Sequence, residues 1–203
     1  MNTEHFEFLV EEPSMEAFLV ELLPRLLGDK SFIIHAYQGK ADLLGKLKSR
    51  LRGYAKWLPA NARIVVLIDR DDDDCTALKA RLERDALDAG LATRGTGLSG
   101  AIWRVVNRIA IEELEAWFFG EWGSVRQTYP RVPVTVANKA AYRNCEAIVG
   151  GTWEALERIL KRAGYFSGGL RKVEMARQIG RNFNYGACIS PSFIAFRDVI
   201  ITK

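Results

Sequence analysis

Five aspartates follow a buried apolar run in the middle of the chain. Ile64–Ile68 is apolar and mostly β-branched, which predicts a strand buried on both faces. In open α/β sheets, ligands bind beyond the carboxyl ends of such strands. Carboxylates this close repel one another unless a cation lies among them, and hard divalent cations prefer carboxylate oxygen. The sequence therefore predicts a metal site at Asp69 and Asp71; the remaining acids are Asp72, Asp73 and Asp74.

A second interpretation applies to the last three aspartates. The pattern of Thr76–Ala89 predicts a helix, and Asp is a favoured residue at a helix N-cap and in the first turn. Asp72–Asp74 are therefore expected to supply the cap and first turn of this helix. Because a cap needs only one residue, Asp69 and Asp71 keep the metal interpretation.

The beginning of the chain repeats the arrangement of strand, acid and helix. Phe6–Val10 predicts a strand, Pro13 suits a helix start, and Met15–Leu27 has helical apolar periodicity. Glu11 thus follows its strand as Asp69 follows the central one. If the two strands are parallel neighbours, their carboxyl ends lie about 5 Å apart and the acids can share an ion. The alternative for Glu11 is a solvated acid near the helix N-terminus.

Strands and helices continue to alternate up to about residue 120. Ser31–Tyr37 and Ile102–Ile109 predict strands, and Ala41–Trp57 predicts a basic amphipathic helix. This pattern predicts an α/β fold of three layers, with a largely parallel central sheet flanked by helices on both faces. After residue 120, turns become frequent and helical periodicity recurs in Trp153–Ala163 and Leu170–Gly180. We therefore expect a domain over residues 1–120 and a mostly helical extension over 121–203 packed on it.

A further acidic stretch begins a predicted helix at Ala110–Gly120. Glu112 and Glu115 are three residues apart and would share one helix face, but an exposed acidic face has the same spacing. The glycine-rich loop before the predicted strand Ile102–Ile109 is Gly95–Gly100, and its sequence matches neither a Walker motif nor a dinucleotide-binding motif.

Composition and charge narrow the possible classes. The chain has 203 residues, a net charge of +4 and a pI near 9.0, which permits contact with nucleic acid. Candidate phosphate contacts, alternatively solvated surface cations, are Lys40, Lys46, Arg50, Arg171 and Lys172. Three widely spaced cysteines indicate neither a disulfide framework nor a zinc site. No signal peptide or membrane-spanning apolar run is present, and we expect a cytoplasmic location without a membrane.

The acids after the first and central strands resemble the TOPRIM domain of topoisomerases, bacterial primases and OLD-type nucleases. That family places a Glu after its first strand and a D-x-D after a later one, which match Glu11, Asp69 and Asp71. More closely, nearly the whole chain resembles the DUF4276 family of bacterial proteins. The phrases that carry this resemblance are V-E-E-P-S-M-E-A-F-L, A-Y-Q-G-K-A-D-L-L, D-R-D-D-D-D-C and I-E-E-L-E-A-W-F-F-G, with G-G-T-W-E and G-G-L-R-K.

The resemblance implies phosphodiester hydrolysis on DNA or RNA with Mg²⁺ or Mn²⁺. RloB-type proteins, also TOPRIM-like, have a Glu two residues before a helical Trp, which matches Glu115 and Trp117. The implied catalytic and metal-binding residues are Glu11, Asp69, Asp71 and Glu115, with Glu112 as a further metal ligand. The family also implies a separate ABC- or AAA-type ATPase partner and a role in bacterial anti-phage defence.

One residue departs from the TOPRIM pattern. TOPRIM proteins usually have Gly after the first Glu, and here Glu12 occupies that place. The substitution would crowd the metal pocket or add a ligand. It favours the alternative function, a non-catalytic TOPRIM-shaped module that binds or regulates an ATPase.

Overall fold

A computed structural model describes residues 3–95, 103–169 and 171–201. Within them the chain alternates strands with helices as far as the fourth strand and then continues with helices alone. The strands are β1 (His5–Val10), β2 (Ser31–Ala36), β3 (Ala62–Asp69) and β4 (Val105–Ala110). The helices are α1 (Pro13–Leu27), α2 (Lys40–Trp57), α3 (Cys75–Asp88), α4 (Leu114–Gly120), α5 (Trp122–Thr128), α6 (Thr152–Arg162), α7 (Lys172–Asn182) and α8 (Pro191–Ile201).

The strands form one sheet in the order β2-β1-β3-β4, and every pairing is parallel. All residues of β3 are buried, as its continuous apolar run predicts. The predicted α/β fold with a parallel central sheet and flanking helices is therefore confirmed.

Alternating side chains along the strands supply two apolar cores. On one face, Leu9, Val66 and Ile68 pack with α2 and α3. On the other face, Phe8 and Leu67 pack with α1 and with the helices of the C-terminal part. The two cores give the predicted three layers, in which the sheet is the middle layer.

The C-terminal helices complete the face that α1 covers. Helix α7 packs along α1, and α8 packs on β4 and α1. A Cβ at Gly180 would lie 3.0 Å from the carbonyl oxygen of Phe18, so glycine permits this close approach. Arg25 then donates from α1 to the carbonyl oxygen of Phe183 at 2.7 Å. The packing holds α7 firmly on α1, while the division of the chain after residue 120 stays a prediction.

Most predicted elements occur within one or two residues of their expected bounds, but the start of the helix predicted over Ala110–Gly120 is wrong. β4 continues to Ala110, and α4 begins only at Leu114. Glu112 has a φ of +64°, which lies in the left-handed region and separates the end of the strand from the start of the helix. Glu112 and Glu115 therefore do not share a helix face.

Other expectations differ in part or lie outside the described residues. Helix α3 begins after Asp74, whose side chain accepts from the Ala77 N–H at 2.7 Å, so only one of the three aspartates is the cap. Helices α5 and α8 were not expected from the sequence. Three predicted features lie partly outside the described residues. They are the first residue of the strand predicted from Ile102, the first residue of the helix predicted from Leu170, and most of the loop Gly95–Gly100.

Two further expectations concern the whole chain. The three cysteines are free thiols, and Cys145 and Cys188 are buried. Among the described residues, none of the helices combines the length and the apolar character that crossing a bilayer requires.

Candidate active site

The candidate site lies at the carboxyl ends of β1 and β3, where the chain changes direction across the sheet. From β1 the chain passes to β2 on one side and then returns to β3 on the other side. Such a switch point leaves a crevice between two neighbouring strands, and open α/β proteins bind ligands there. Glu11 follows β1, and Asp69 ends β3.

The structure brings Glu11 and Asp69 into direct contact. In the parallel register Val10 pairs with Leu67, which places Glu11 level with the end of β3. The backbone N–H of Asp69 donates to Oε2 of Glu11 at 3.1 Å. Burial raises the pKa of the Glu11 carboxyl to about 7; the Asp69 N–H opposes this rise, and the charge of Asp71 adds to it.

Asp69 and Glu115 are the most deeply buried acids of the site. Asp69 is 4% exposed and Glu115, in the first turn of α4, is 0% exposed. Oδ1 of Asp69 and both side-chain oxygens of Glu115 accept no hydrogen bond from any other described residue. Buried polar atoms are nearly always paired, so these three oxygens lack a partner that a bound cation would supply.

The pKa values of these two acids also indicate that their carboxylates lack a stabilising partner. Burial raises the pKa of Asp69 well above its usual range, and the charges of Glu11 and Glu115 raise it further. Burial raises the pKa of Glu115 to about 7, although the positive charge of Lys172 opposes the change. Each carboxyl resists ionisation because burial removes the water that would stabilise its charge. The positive charge in the acid pocket, defined here by Glu11, Glu12, Asp69 and Glu115, does not outweigh this effect.

Asp71 and Glu112 lie beside this pocket but are engaged by cations of the protein. Asp71 has a φ of +49°, and its Oδ2 contacts Nζ of Lys40 at 2.7 Å. Lys40 also contacts Asp73 at 2.8 Å. Glu112 forms an ion pair with Arg70. Two of the five predicted metal ligands are thus partly neutralised within the protein.

The pocket also contains a cation from the C-terminal part of the chain. Nζ of Lys172, the first residue of α7, lies 2.8 Å from Oε1 of Glu12. Burial lowers the pKa of Lys172, but the charges of Glu115 and Glu12 outweigh burial and the net change is upward. Lys172, a predicted nucleic-acid contact, thus has its ammonium group among the acids.

The residues present fit a hard divalent cation by their chemistry. Glu11, Asp69 and Glu115 offer carboxylate oxygens, several of them unpaired, and this is the donor type that Mg²⁺ and Mn²⁺ prefer. Among residues 3–95, 103–169 and 171–201, no three or more His, Cys, Asp or Glu side chains are arranged as a group that could hold a metal ion. In this arrangement Asp71 and Glu112 direct carboxylate oxygens to Lys40 and Arg70.

The other predicted nucleic-acid contacts lie on two grooves. A groove of about 600 Å³ beside β2 is lined in part by His35, Lys46 and Arg50. Lys46 is paired with Asp42, and Arg50 donates to the Tyr54 hydroxyl at 3.3 Å. A second groove, of about 590 Å³, runs along α7 and is lined by residues that include Arg171, Lys172, Arg177 and Arg181.

Sequence reasoning missed two features near the site. Glu113 holds the N-terminus of α6, because its Oε2 accepts from the Trp153 N–H and the Thr152 hydroxyl, each at 3.0 Å. Lys172 enters the acid pocket by way of the packing of α7 on α1. No local spacing indicated either contact, since the partners are 39 residues or more apart in sequence.

The structure defines an α/β protein with a parallel sheet, in which a glutamate follows β1 and an Asp-x-Asp begins at the last residue of the adjacent β3. The model of a domain of unknown function, DUF4276, matches residues 10–201, and the chain belongs to this family. Among solved structures, the C-terminal region of the Burkholderia pseudomallei OLD protein is similar, with a TM-score of 0.48 and 15% identity over 98% of each chain. A comparison with curated proteins gave no match.

Proposed function

We propose that this protein is a phosphodiesterase that cleaves nucleic acid with Mg²⁺ or Mn²⁺. The observation that carries the proposal is the pair of buried carboxylates, Asp69 and Glu115, whose side-chain oxygens include three without a hydrogen-bond partner and whose charges interact. The backbone of Asp69 also contacts Glu11 at the switch point. Buried acids with raised pKa values in a crevice are typical of functional sites, because a structural role alone gives no reason to retain unpaired charge there.

In this proposal Glu11, Asp69 and Glu115 hold the metal. A divalent ion bound there would polarise the scissile phosphate and activate a water molecule for attack. No side chain of the protein then has to act as the nucleophile. The carboxylates would fix the cation, and Lys40 at Asp71 and Lys172 at Glu12 would supply positive charge for an anionic phosphate.

The proposed substrate class follows from the surface around the acids. A polyanion would be repelled by the carboxylates alone, but the α7 groove presents Arg171, Arg177 and Arg181 beside Lys172. Such contacts neutralise phosphates without reading bases, so binding should weaken steeply as salt concentration rises. The basic side chains along the α7 groove therefore support nucleic acid as the substrate, and they fit the phosphates of DNA and RNA equally well.

Two parts of the proposal rest on the family resemblance alone. One is a separate ABC- or AAA-type ATPase as partner, and the other is a role in anti-phage defence in the bacterial cytoplasm. The chain itself contains no Walker motif that would bind ATP phosphates.

A specific observation favours the alternative, a non-catalytic binding or regulatory module. Glu12, Asp71 and Glu112 are each paired with a lysine or arginine of the same chain. An acid cluster neutralised in this way remains folded without metal and could serve as a recognition surface for an ATPase. The two functions differ in whether a divalent ion binds and whether phosphodiester bonds are cut.

The deciding experiment compares the wild type with Asp69→Asn. The amide keeps the shape of the side chain but removes one negative charge from the proposed metal shell. We expect Mn²⁺- or Mg²⁺-dependent cleavage of single- and double-stranded DNA and RNA to be lost, and the thermal stabilisation by metal to shrink. Asp88→Asn, which removes an equal charge from the paired surface residue at the end of α3, is the matched control.

Two results would oppose the enzymatic function. One is a wild-type melting temperature that does not respond to millimolar Mg²⁺ or Mn²⁺. The other is cleavage that Asp69→Asn leaves unchanged, since this would identify a contaminating nuclease. Metal binding without cleavage, even after a neighbouring ATPase is added, would favour the non-catalytic module.

A further inference from the structure

Lys172 is held in the acid pocket by two partners from different elements. Its Nζ contacts Oε1 of Glu12 at 2.8 Å and lies 5.2 Å from the centre of the Trp153 ring. An aromatic face attracts a cation, so both partners stabilise the ammonium at the same position. The side chain is only 28% exposed, which limits the water available to replace these contacts.

The elements that carry these partners are themselves fixed. Glu12 immediately precedes α1, on which α7 packs through the close contact at Gly180. Trp153 belongs to α6, whose first residues are held by Glu113. The ammonium is therefore positioned by the tertiary structure and does not depend on a flexible surface chain.

From this position the charge of Lys172 acts on the deepest acids. Burial raises the pKa values of Glu115 and Asp69, and the positive charge of Lys172 opposes this rise at both carboxyls. These are the carboxylates whose oxygens lack hydrogen-bond partners. The lysine thus provides part of the positive charge that a bound metal would provide.

We propose that Lys172 is a resident counter-ion of the acid pocket and competes with a divalent cation for the same carboxylates. The inference rests on the proposed function, because it assumes that Glu11, Asp69 and Glu115 are the metal ligands. Glu12 is then the residue that retains the competing lysine. The protein accordingly binds metal more weakly than its acids alone would allow, and Lys172 sets the metal concentration at which the site fills.

The test measures Mn²⁺ and Mg²⁺ binding by isothermal titration calorimetry, without any cleavage assay. Lys172→Met keeps most of the apolar stem and removes the charge. It should lower the dissociation constant by about tenfold or more, because a unit charge several Å from a divalent ion acts strongly in a partly buried site. Lys172→Arg retains the charge and should keep the dissociation constant within about threefold of the wild-type value.

A matched control separates competition from general charge effects. Arg177→Met removes one positive charge from an exposed position on the same helix and should change the dissociation constant by less than about twofold. Circular dichroism verifies that each variant is folded, and Lys172→Gln takes the place of Lys172→Met if the latter is not.

The outcomes distinguish this inference from the proposed function. Metal binding by the wild type with unchanged or weaker binding by Lys172→Met would overturn the inference and leave the metal site in place. Absence of binding in both proteins would overturn the inference and the metal site together. Binding by Lys172→Met but not by the wild type would support both.

Discussion

Replacing Glu115 by glutamine should change the stability of the metal-free protein in a strongly pH-dependent way, to the disadvantage of the variant in acid and in its favour above pH 7. Glu115 is fully buried, and its carboxyl has a pKa of about 7 in the folded protein against 4.5 in a model compound. The folded state therefore binds more protons than the unfolded state between these two values. Stability falls as pH rises wherever the folded state holds the extra proton, so the wild type should lose stability across this interval.

The magnitude follows from the size of the shift. One pKa unit corresponds to about 1.4 kcal/mol, so ionised Glu115 costs the folded state on the order of 3 kcal/mol above pH 7. The glutamine does not ionise and avoids this cost. Its amide still needs partners in the same buried position, which adds an unfavourable contribution of about 1–3 kcal/mol that does not change with pH.

The assay is urea-induced unfolding of both proteins in EDTA at a series of pH values. The free energy of unfolding of Glu115→Gln minus that of the wild type should increase by about 3 kcal/mol from below pH 4.5 to above pH 7. The exposed substitution Glu174→Gln on α7 is the control for the loss of a carboxylate outside the acid pocket. A flat difference for Glu115→Gln, or one that falls with pH, would refute the claim that Glu115 is a buried acid short of positive charge.

Three further predictions test the parts of the structure around the site. Gly180→Ala should destabilise the protein by about 1–3 kcal/mol in urea unfolding, because the added methyl group would lie 3.0 Å from the Phe18 carbonyl oxygen. Asp74→Ala should cost about 1 kcal/mol by the same measurement while leaving metal binding unchanged, since this side chain caps α3. Burial raises the pKa of Glu7, but hydrogen bonds with His35, His5 and Tyr54 outweigh burial, and the net change is downward. The ionised carboxylate therefore contributes stability above pH 4.5, and this contribution is lost as the pH falls through the lower pKa of the folded state. Glu7→Gln should therefore be less stable than the wild type at neutral pH and approach it in acid, as measured by thermal unfolding.

The strand and helix pattern was predictable because it depends on local chemistry. The apolar run Ile64–Ile68 has one stable environment, a strand covered on both faces, and the structure provides it. Short connections between strands and helices then favour parallel neighbours. The contact between Glu11 and Asp69 follows from that topology, although 58 residues separate them.

The turn before α4 could not be predicted in the same way. Periodicity allowed a helix from Ala110, whereas the left-handed backbone of Glu112 ends that possibility. This conformation is accompanied by contacts with a different loop: Arg70 pairs with the Glu112 side chain, and the Asp71 N–H donates to the Glu112 carbonyl at 2.9 Å. Such tertiary contacts override local propensity and leave no periodic signal in the sequence.

The basic residues beside the acids could be identified from the sequence, but their positions near those acids could not. Lys40 and Lys172 stood out as basic positions, and a basic side chain is ordinarily expected at the solvated surface. Lys172 reaches the acids only because α7 packs on α1, which depends on Gly180 and on contacts between distant helices. A basic residue in sequence therefore indicates charge, and only the packing shows which acids receive that charge.

A shortage of positive charge connects the stability of this protein with its proposed activity. Four acids lie at the switch point, Glu11, Glu12, Asp69 and Glu115, and the charges of Lys172 and Lys40 offset only part of their repulsion. A protein selected for stability alone would replace such acids, since buried unpaired charge destabilises the folded state. Their presence is explained if a divalent cation completes the site. The ion that activates phosphodiester hydrolysis would then also stabilise the fold, so in Asp69→Asn the loss of metal-dependent cleavage should be accompanied by a smaller metal-dependent stabilisation.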